Sequence, residues 1–320
     1  MFLSSSKMGF AHPARLLSSS VQSDGNPDRF NIHMQDLFGM TSGILCAIAC
    51  PMLENELLHS LMSDPEEKTV YVIDNDDAVT FRRKADRRGF RYELIPDWKF
   101  YSDHQDIDRT KFNVVIHFNP MALHEFPDKL KSQVEEQVSK VQPYCDSVAV
   151  YYGMCGSFGW DIQNWAAEKG FKPTSTMKCP DGKVCDDCVG VAIGGGTNYT
   201  RLTKEYTGML YLIPTVASNW KEFFGGFKMR EELESMTSDI KEYFGITDPD
   251  SYMKWMFSIA GYQNGLIIDT GLEDDREEFV GQCNSICEKM ELEPLEISEG
   301  WVTLQPADDI YRGAKAALQS

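Results

Sequence analysis

Residues 41–62 read TSGILCAIACPMLENELLHSLM, and this stretch decides the fold. Within it, residues 43–50 (GILCAIAC) form a short, almost wholly apolar run with no polar alternation. Such a run fits a strand buried on both faces, as in a parallel sheet with helices on both sides. Pro51 ends it, and residues 52–62 then carry Leu53, Leu57, Leu58 and Leu61 on one helical face. A buried strand running into an amphipathic helix is the first half of a β–α–β unit.

The pattern repeats downstream. Residues 69–73 (TVYVI) predict a second strand, and DNDDAVTFRRKADRRG predicts a helix with a capping start and Gly89 at its end. A third strand is expected over residues 90–95 and another over 112–118 (FNVVIHF). A helix over 128–141 follows, with Leu130, Val134, Val138 and Val141 in phase. Residues 147–152 (SVAVYY) then lead into GMCGSFG, and a short helix covers 160–169. Beyond residue 200 the order is less regular. Strands are expected over 209–214 and 265–269, and one or two more after 295. Helices are expected over 250–260 and 274–290, with a closing helix at the end. A further helix is expected over 230–244, with Leu233, Met236, Ile240 and Phe244 inward. Repeated strand–helix units imply right-handed crossovers. The expected fold is α/β: a mainly parallel Rossmann-like sheet with flanking helices, two-lobed, over residues 36–320.

Residues 1–35 read differently. Residues 1–33 hold seven serines and carry a net +1, from Lys7, Arg15 and Arg29 against Asp24 and Asp28. Two readings stand open, a disordered tail and an organellar transit peptide. The corresponding locations are cytoplasmic, or mitochondrial if the segment is a transit peptide. The whole chain has 49 acidic and 31 basic residues, a net charge of −18. That charge argues against nucleic acid and against anionic lipid surfaces as partners. No apolar run approaches the roughly 20 residues of a spanning helix.

Nine cysteines are the chemical feature of the chain. Cys50 ends the first strand, Cys155 follows another strand inside a glycine-flanked turn, and Cys188 follows Asp186-Asp187. In open α/β sheets ligands gather beyond the carboxyl ends of the strands, so these three are expected to converge there. Three thiolates make a partial shell for zinc or an iron–sulfur cluster. Cys185-x-x-Cys188 adds a C-x-x-C pair. Cys46 reads as a core residue, as do Cys283 and Cys287 on one helix face with Phe279, Ile286 and Met290. Cys145 has no evident role. Gly153, Gly156, Gly194 and Gly195, with Tyr199, are the candidates for close approach to a small molecule or cofactor. Gly194-Gly195-Gly196 lacks the Lys-Ser/Thr of a P-loop, and a plain turn is its other reading. His117 and His124 are candidate fourth ligands or proton carriers, set against ordinary satisfied histidines. Asp74, Asp76 and Asp77 cluster at a strand end, where they fit a cation, a ribose or a helix cap.

The ordered set Ala49-Cys50-Pro51-Met52-Leu53-Glu54, Tyr152-Gly153-Met154-Cys155-Gly156, Asp187-Cys188, Gly194-Gly195-Gly196 and Tyr199 resembles domain-of-unknown-function family 1638. Residues 208–212 (GMLYL) and the turn Asp269-Thr270-Gly271 also fit, so the resemblance spans roughly residues 42–320. It departs at residues 178–186 (KCPDGKVCD), where the family has a plain Pro-Arg-x-His approach and this chain adds Cys179 and Cys185. The resemblance carries no established activity. Its context is organisms with corrinoid-dependent methyl transfer, which implies a corrinoid or methyltransferase partner. Three function classes follow. The first is a metal-thiolate protein binding a small molecule or cofactor, with one-carbon or methyl transfer as its chemistry. The second is a non-catalytic metal or corrinoid carrier, and the third a thiol redox protein using Cys185 and Cys188.

Residues 1–33 are polar and lack a sustained apolar period, so they add little buried area. Deleting them is expected to leave the thermal midpoint nearly unchanged in a calorimetric scan. A large fall would show that they pack on the rest.

Overall fold

A computed structural model describes residues 41–102, 106–155, 157, 159–297 and 299–319. For Ala122, His124, Phe227 and Glu299 it describes the backbone alone. The chain divides into residues 1–40 and residues 41–320. The expectations for the first 35 residues lie outside the described residues.

Six strands build the larger sheet: β1 (Gly43–Ala49), β2 (Thr69–Ile73), β3 (Glu93–Ile95), β4 (Phe112–Phe118), β5 (Ser147–Tyr151) and β6 (Thr174–Thr176). They lie in the order β3-β2-β4-β1-β5-β6, and every pairing is parallel. All seven residues of β1 are buried, as an unalternating apolar run requires when both faces are covered. The faces separate with period two. Leu45, Ala47 and Ala49 pack with Leu57, Leu58, Leu61 and Phe81. Ile44, Cys46 and Ile48 pack with Val134, Val138 and Val141 of helix Pro127–Val141. The C-terminal helix Gln305–Ala316 returns to the first face through Ala307, Ile310, Tyr311 and Ala314. A smaller parallel sheet, β7 (Met209–Leu212), β8 (Asn264–Ile267) and β9 (Glu293–Glu296), holds the second lobe in the order β7-β8-β9. The architecture is α/β and consistent with a Rossmann-like fold. No helix among the described residues is long and apolar enough to cross a membrane.

Some elements differ from their sequence reading. The expected helix over 230–244 is two helices, Phe227–Ser235 and Ser238–Phe244. Met236 and Thr237 are extended at the break, which shifts the phase of the apolar stripe. Leu233 and Met236 stay half-buried against the second-lobe core, whereas Ile240 and Phe244 are 43% and 47% exposed. The third strand is three residues rather than six, because only Glu93–Ile95 finds a partner, in β2. The segment around Cys188 is a helix, Cys188–Ile193, followed by another, Gly196–Glu205.

One ion pair joins the two helices on the first face. Lys84 Nζ lies 2.6 Å from a carboxylate oxygen of Glu54, whose side chain is fully buried, and donates to Asn55 Oδ1 at 2.9 Å. Removing one partner of a buried pair strands the other charge. Lys84→Met is expected to lower unfolding stability by about 3–5 kcal/mol in urea titration. A loss under about 1 kcal/mol, the range of exposed pairs, would show that Glu54 needs no counter-charge.

Candidate functional site

From β1 the chain moves outward to β2 and β3, returns with β4 into the slot between β1 and β2, and crosses to β5 and β6 on the other side. The connections leaving the adjacent strands β1 and β5 therefore run in opposite directions. That is the switch point of an open parallel sheet, where a crevice forms beyond the strand ends. Cys50 follows β1 there, and its amide donates to the carbonyl of Tyr151, the last residue of β5, at 3.2 Å. Pro51 opens a single 3-10 turn, Pro51–Leu53, before helix Glu54–Ser63.

Cys155 follows β5 across the same crevice. Gly153 is glycine because a Cβ on it would stand 2.7 Å from Asp187 Cα and 2.8 Å from Asp187 N. The turn lies against residues 185–187: Met154 N donates to Cys185 O at 2.9 Å, and Cys155 N to Asp186 O at 2.7 Å. Cys155 itself has φ of 45°, the left-handed region that a non-glycine residue enters at a cost. Asp187 caps helix Cys188–Ile193 by accepting from Gly190 N at 2.8 Å, which sets Cys188 at the helix start. Cys50, Cys155 and Cys188 thereby line one cavity of about 200 Å³, with Asp187 and Tyr152 on its wall and Phe223 reaching in from the second lobe.

The electrostatics of the cavity are uniformly hostile to negative charge. Burial pushes the Cys50 thiol up to about 12, against a partial lowering by the Met52 backbone, and Glu54, Asp77 and Glu56 push it further. The Cys155 thiol is raised by burial, then by Cys50 and Asp187. Cys188 is raised by burial, then by Asp187, Cys155 and Cys50. Burial also raises the Asp187 carboxyl, although the Gly190 amide opposes it. Left alone, the three thiols stay protonated; a bound cation would favour their charged forms. Among the described residues no three His, Cys, Asp or Glu side chains already stand in an arrangement that could hold a metal ion.

The remaining candidates sort by place. Cys185 is not with Cys188; its sulfur lies 2.9 Å from that of Cys179. The amides of Gly194 and Gly195 donate to Val191 O and Gly190 O, and Gly194, at φ 74°, ends the preceding helix. Both are therefore spent on a helix stop. Tyr199 stands beside the cavity wall, its hydroxyl 3.5 Å from Asp187 Oδ2 and its ring against Tyr211. Gly156 and the His124 side chain lie outside the described residues. His117 sits in a separate buried network. Its Nδ1 lies 3.2 Å from Tyr101 Oη and 3.3 Å from Gln137 Nε2, and burial lowers it to about 4, so it is neutral. Asp74 pairs with Arg82 at 2.8 Å. The cap of that helical turn is Asn75, which accepts from Ala78 N, rather than Asp76 or Asp77. Cys46, Cys145, Cys283 and Cys287 are core residues, each 0–1% exposed. Sequence reasoning missed Phe223, which no local pattern marks, and Glu56, which is buried off the leucine face of its helix.

The fold and the cavity together define a parallel α/β protein with a thiol-lined crevice at its switch point. Residues 118–307 match the family described as "Protein of unknown function (DUF1638)", and the chain belongs to that family. The matched segment contains Cys155 and Cys188, while Cys50 precedes it. No curated protein and no solved structure matches the chain.

Glu56 is 3% exposed, and its Oε2 has no hydrogen-bond partner among the described residues. Burial pushes its carboxyl from 4.5 to about 7, against its own backbone amide and Lys84, with Glu54 adding to the rise. The native state then holds a proton that the unfolded chain has released. Stability contributed by this group is complete below pH 4.5 and is lost as pH rises through about 7. Glu56→Gln is expected to be more stable than wild type at pH 8, by something on the order of 3 kcal/mol, and to lose that advantage near pH 4.5. Urea midpoints at the two pH values decide it. A parallel pH dependence in both proteins would show that Glu56 does not titrate in this range.

Proposed function

We propose that the crevice is a metal-thiolate centre, with Cys50, Cys155 and Cys188 as its ligands, and that it binds a small molecule or cofactor. One observation carries the reading: three cysteines 33 to 138 residues apart in sequence line the same cavity. Packing alone gives no reason for three thiols from three separate elements to share a wall with a carboxylate. Soft thiolates suit zinc or an iron–sulfur cluster. Ligation would draw the thiols closer than they stand. Binding would release protons, because every ligand is held protonated by its surroundings.

The size of the cavity narrows the chemistry. About 200 Å³ is below the 300–1,000 Å³ of sites for drug-sized ligands. It suits an ion with a small group and is far too small for a corrinoid ring, so a corrinoid would have to be carried by a partner. A thiolate-bound cation supplies a deprotonated thiol nucleophile at neutral pH, and one-carbon or methyl transfer is the reaction class we propose for it. A non-catalytic carrier would bind the same metal without turnover of a methyl donor, and that assay separates the two.

Metal analysis of protein purified without oxygen tests the centre. Wild type is expected to hold metal and Cys155→Ala to lose it. The double variant Cys283→Ala with Cys287→Ala is expected to keep it while losing about 1–3 kcal/mol of stability, as small core truncations do. Full retention of metal in Cys155→Ala, or its loss from the helix pair, would place the centre on other cysteines.

A further inference from the structure

Residues 177–185 form a short hairpin. Cys185 N donates to Met177 O at 3.0 Å and Cys179 N to Lys183 O at 2.8 Å, with an antiparallel bridge between Lys178 and Val184. Gly182, at φ 81°, closes the turn and donates to Cys179 O. In this register Cys179 and Cys185 are diagonal neighbours on one face of the ribbon. Their sulfurs are 2.9 Å apart, and both residues are buried, at 5% and 0% exposure. A bonded pair stands at about 2.05 Å, so closure needs less than about 1 Å of further approach. The packing around the pair is built to that shape. A Cβ on Gly195 would lie 1.7 Å from Cys179 Sγ, so the glycine after the helix stop makes room for this sulfur.

We propose that Cys179 and Cys185 are a peroxide-reactive dithiol that closes to an intramolecular disulfide. The oxidant must be small, because only Cys179 has any surface exposed, and hydrogen peroxide meets that requirement. Cys179 is the sulfur that reacts first: it is the more exposed of the two, and the contact with Cys185 lowers its pKa while raising that of Cys185. Cys179 thiolate gives an electron pair to one peroxide oxygen and the O–O bond breaks. The departing hydroxide takes the proton that Cys179 had lost, leaving a sulfenic acid and one water. Cys185 sulfur then attacks Cys179 sulfur, the S–O bond breaks, and the leaving hydroxide takes the Cys185 proton as a second water. Each sulfur is oxidised by one electron and each peroxide oxygen is reduced by one. A dithiol reductant reverses the change by exchange. This site is separate from the metal reading, since neither sulfur lines the cavity.

The full chain, reduced, freed of reductant and treated with equimolar hydrogen peroxide, tests the proposal by alkylation, trypsin digestion and mass spectrometry. Trypsin cuts after Lys178, Lys183 and Arg201, which puts the two cysteines on different peptides. The expected product is peptides 179–183 and 184–201 joined through Cys179 and Cys185, at a mass two hydrogens below their sum. Both sites should regain full alkylation after dithiol reductant. Cys188→Ser should form the same link, and Cys185→Ser should instead leave a Cys179 sulfenic acid that a 1,3-diketone probe traps. Full alkylation of Cys179 and Cys185 after peroxide, or a link that runs to Cys188, would overturn the proposal.

Discussion

The hydrogen bond from the Cys50 amide to the Tyr151 carbonyl extends the pairing of β1 and β5 to their ends. Everything at the crevice depends on that adjacency. Because the chain leaves these two strands toward opposite edges of the sheet, no connection covers the gap between their ends. The gap is then walled by whatever residues end the strands, and here those are cysteines. The third wall comes from residues 185–188, tied to the β5 turn by two backbone bonds that only a glycine at 153 allows.

Around that gap the protein has gathered groups that resist ionisation together. Cys50, Cys155, Cys188, Asp187 and Glu56 are each pushed toward the neutral form by burial, and several push on one another. A stability-driven core would avoid such a cluster, since unpartnered polar groups cost free energy. Lys84, paired with Glu54 at 2.6 Å, offsets part of the rise at Glu56. The cluster borders the cavity that we propose as a metal-thiolate centre. That cavity, of about 200 Å³, has room for only a few heavy atoms.

The cysteines also show why sequence spacing misleads. Cys185 and Cys188 have the C-x-x-C spacing of a redox or zinc pair. The hairpin turns Cys185 toward Cys179, while Asp187 caps a new helix and turns Cys188 into the cavity. A helix cap between the two residues separates their side chains. The same kind of local break, two extended residues at 236 and 237, opened Ile240 and Phe244 to solvent when the periodic stripe had placed them inward.

By itself the sequence determined the parallel α/β class, the boundaries of β2 and β4, the core character of Cys46, Cys283 and Cys287, and the strand ends that carry Cys50 and Cys155. These follow from hydrophobic period and breakers, which are local and survive any topology. Tertiary structure alone decided that β1 and β5 are neighbours, that Phe223 reaches the cavity from the second lobe, that Glu56 is buried and that Cys179 meets Cys185. Each of these is a contact between segments whose separation no period encodes. Strand order and side-chain proximity arise from the packing of the whole chain, and only its three-dimensional course brings these segments together.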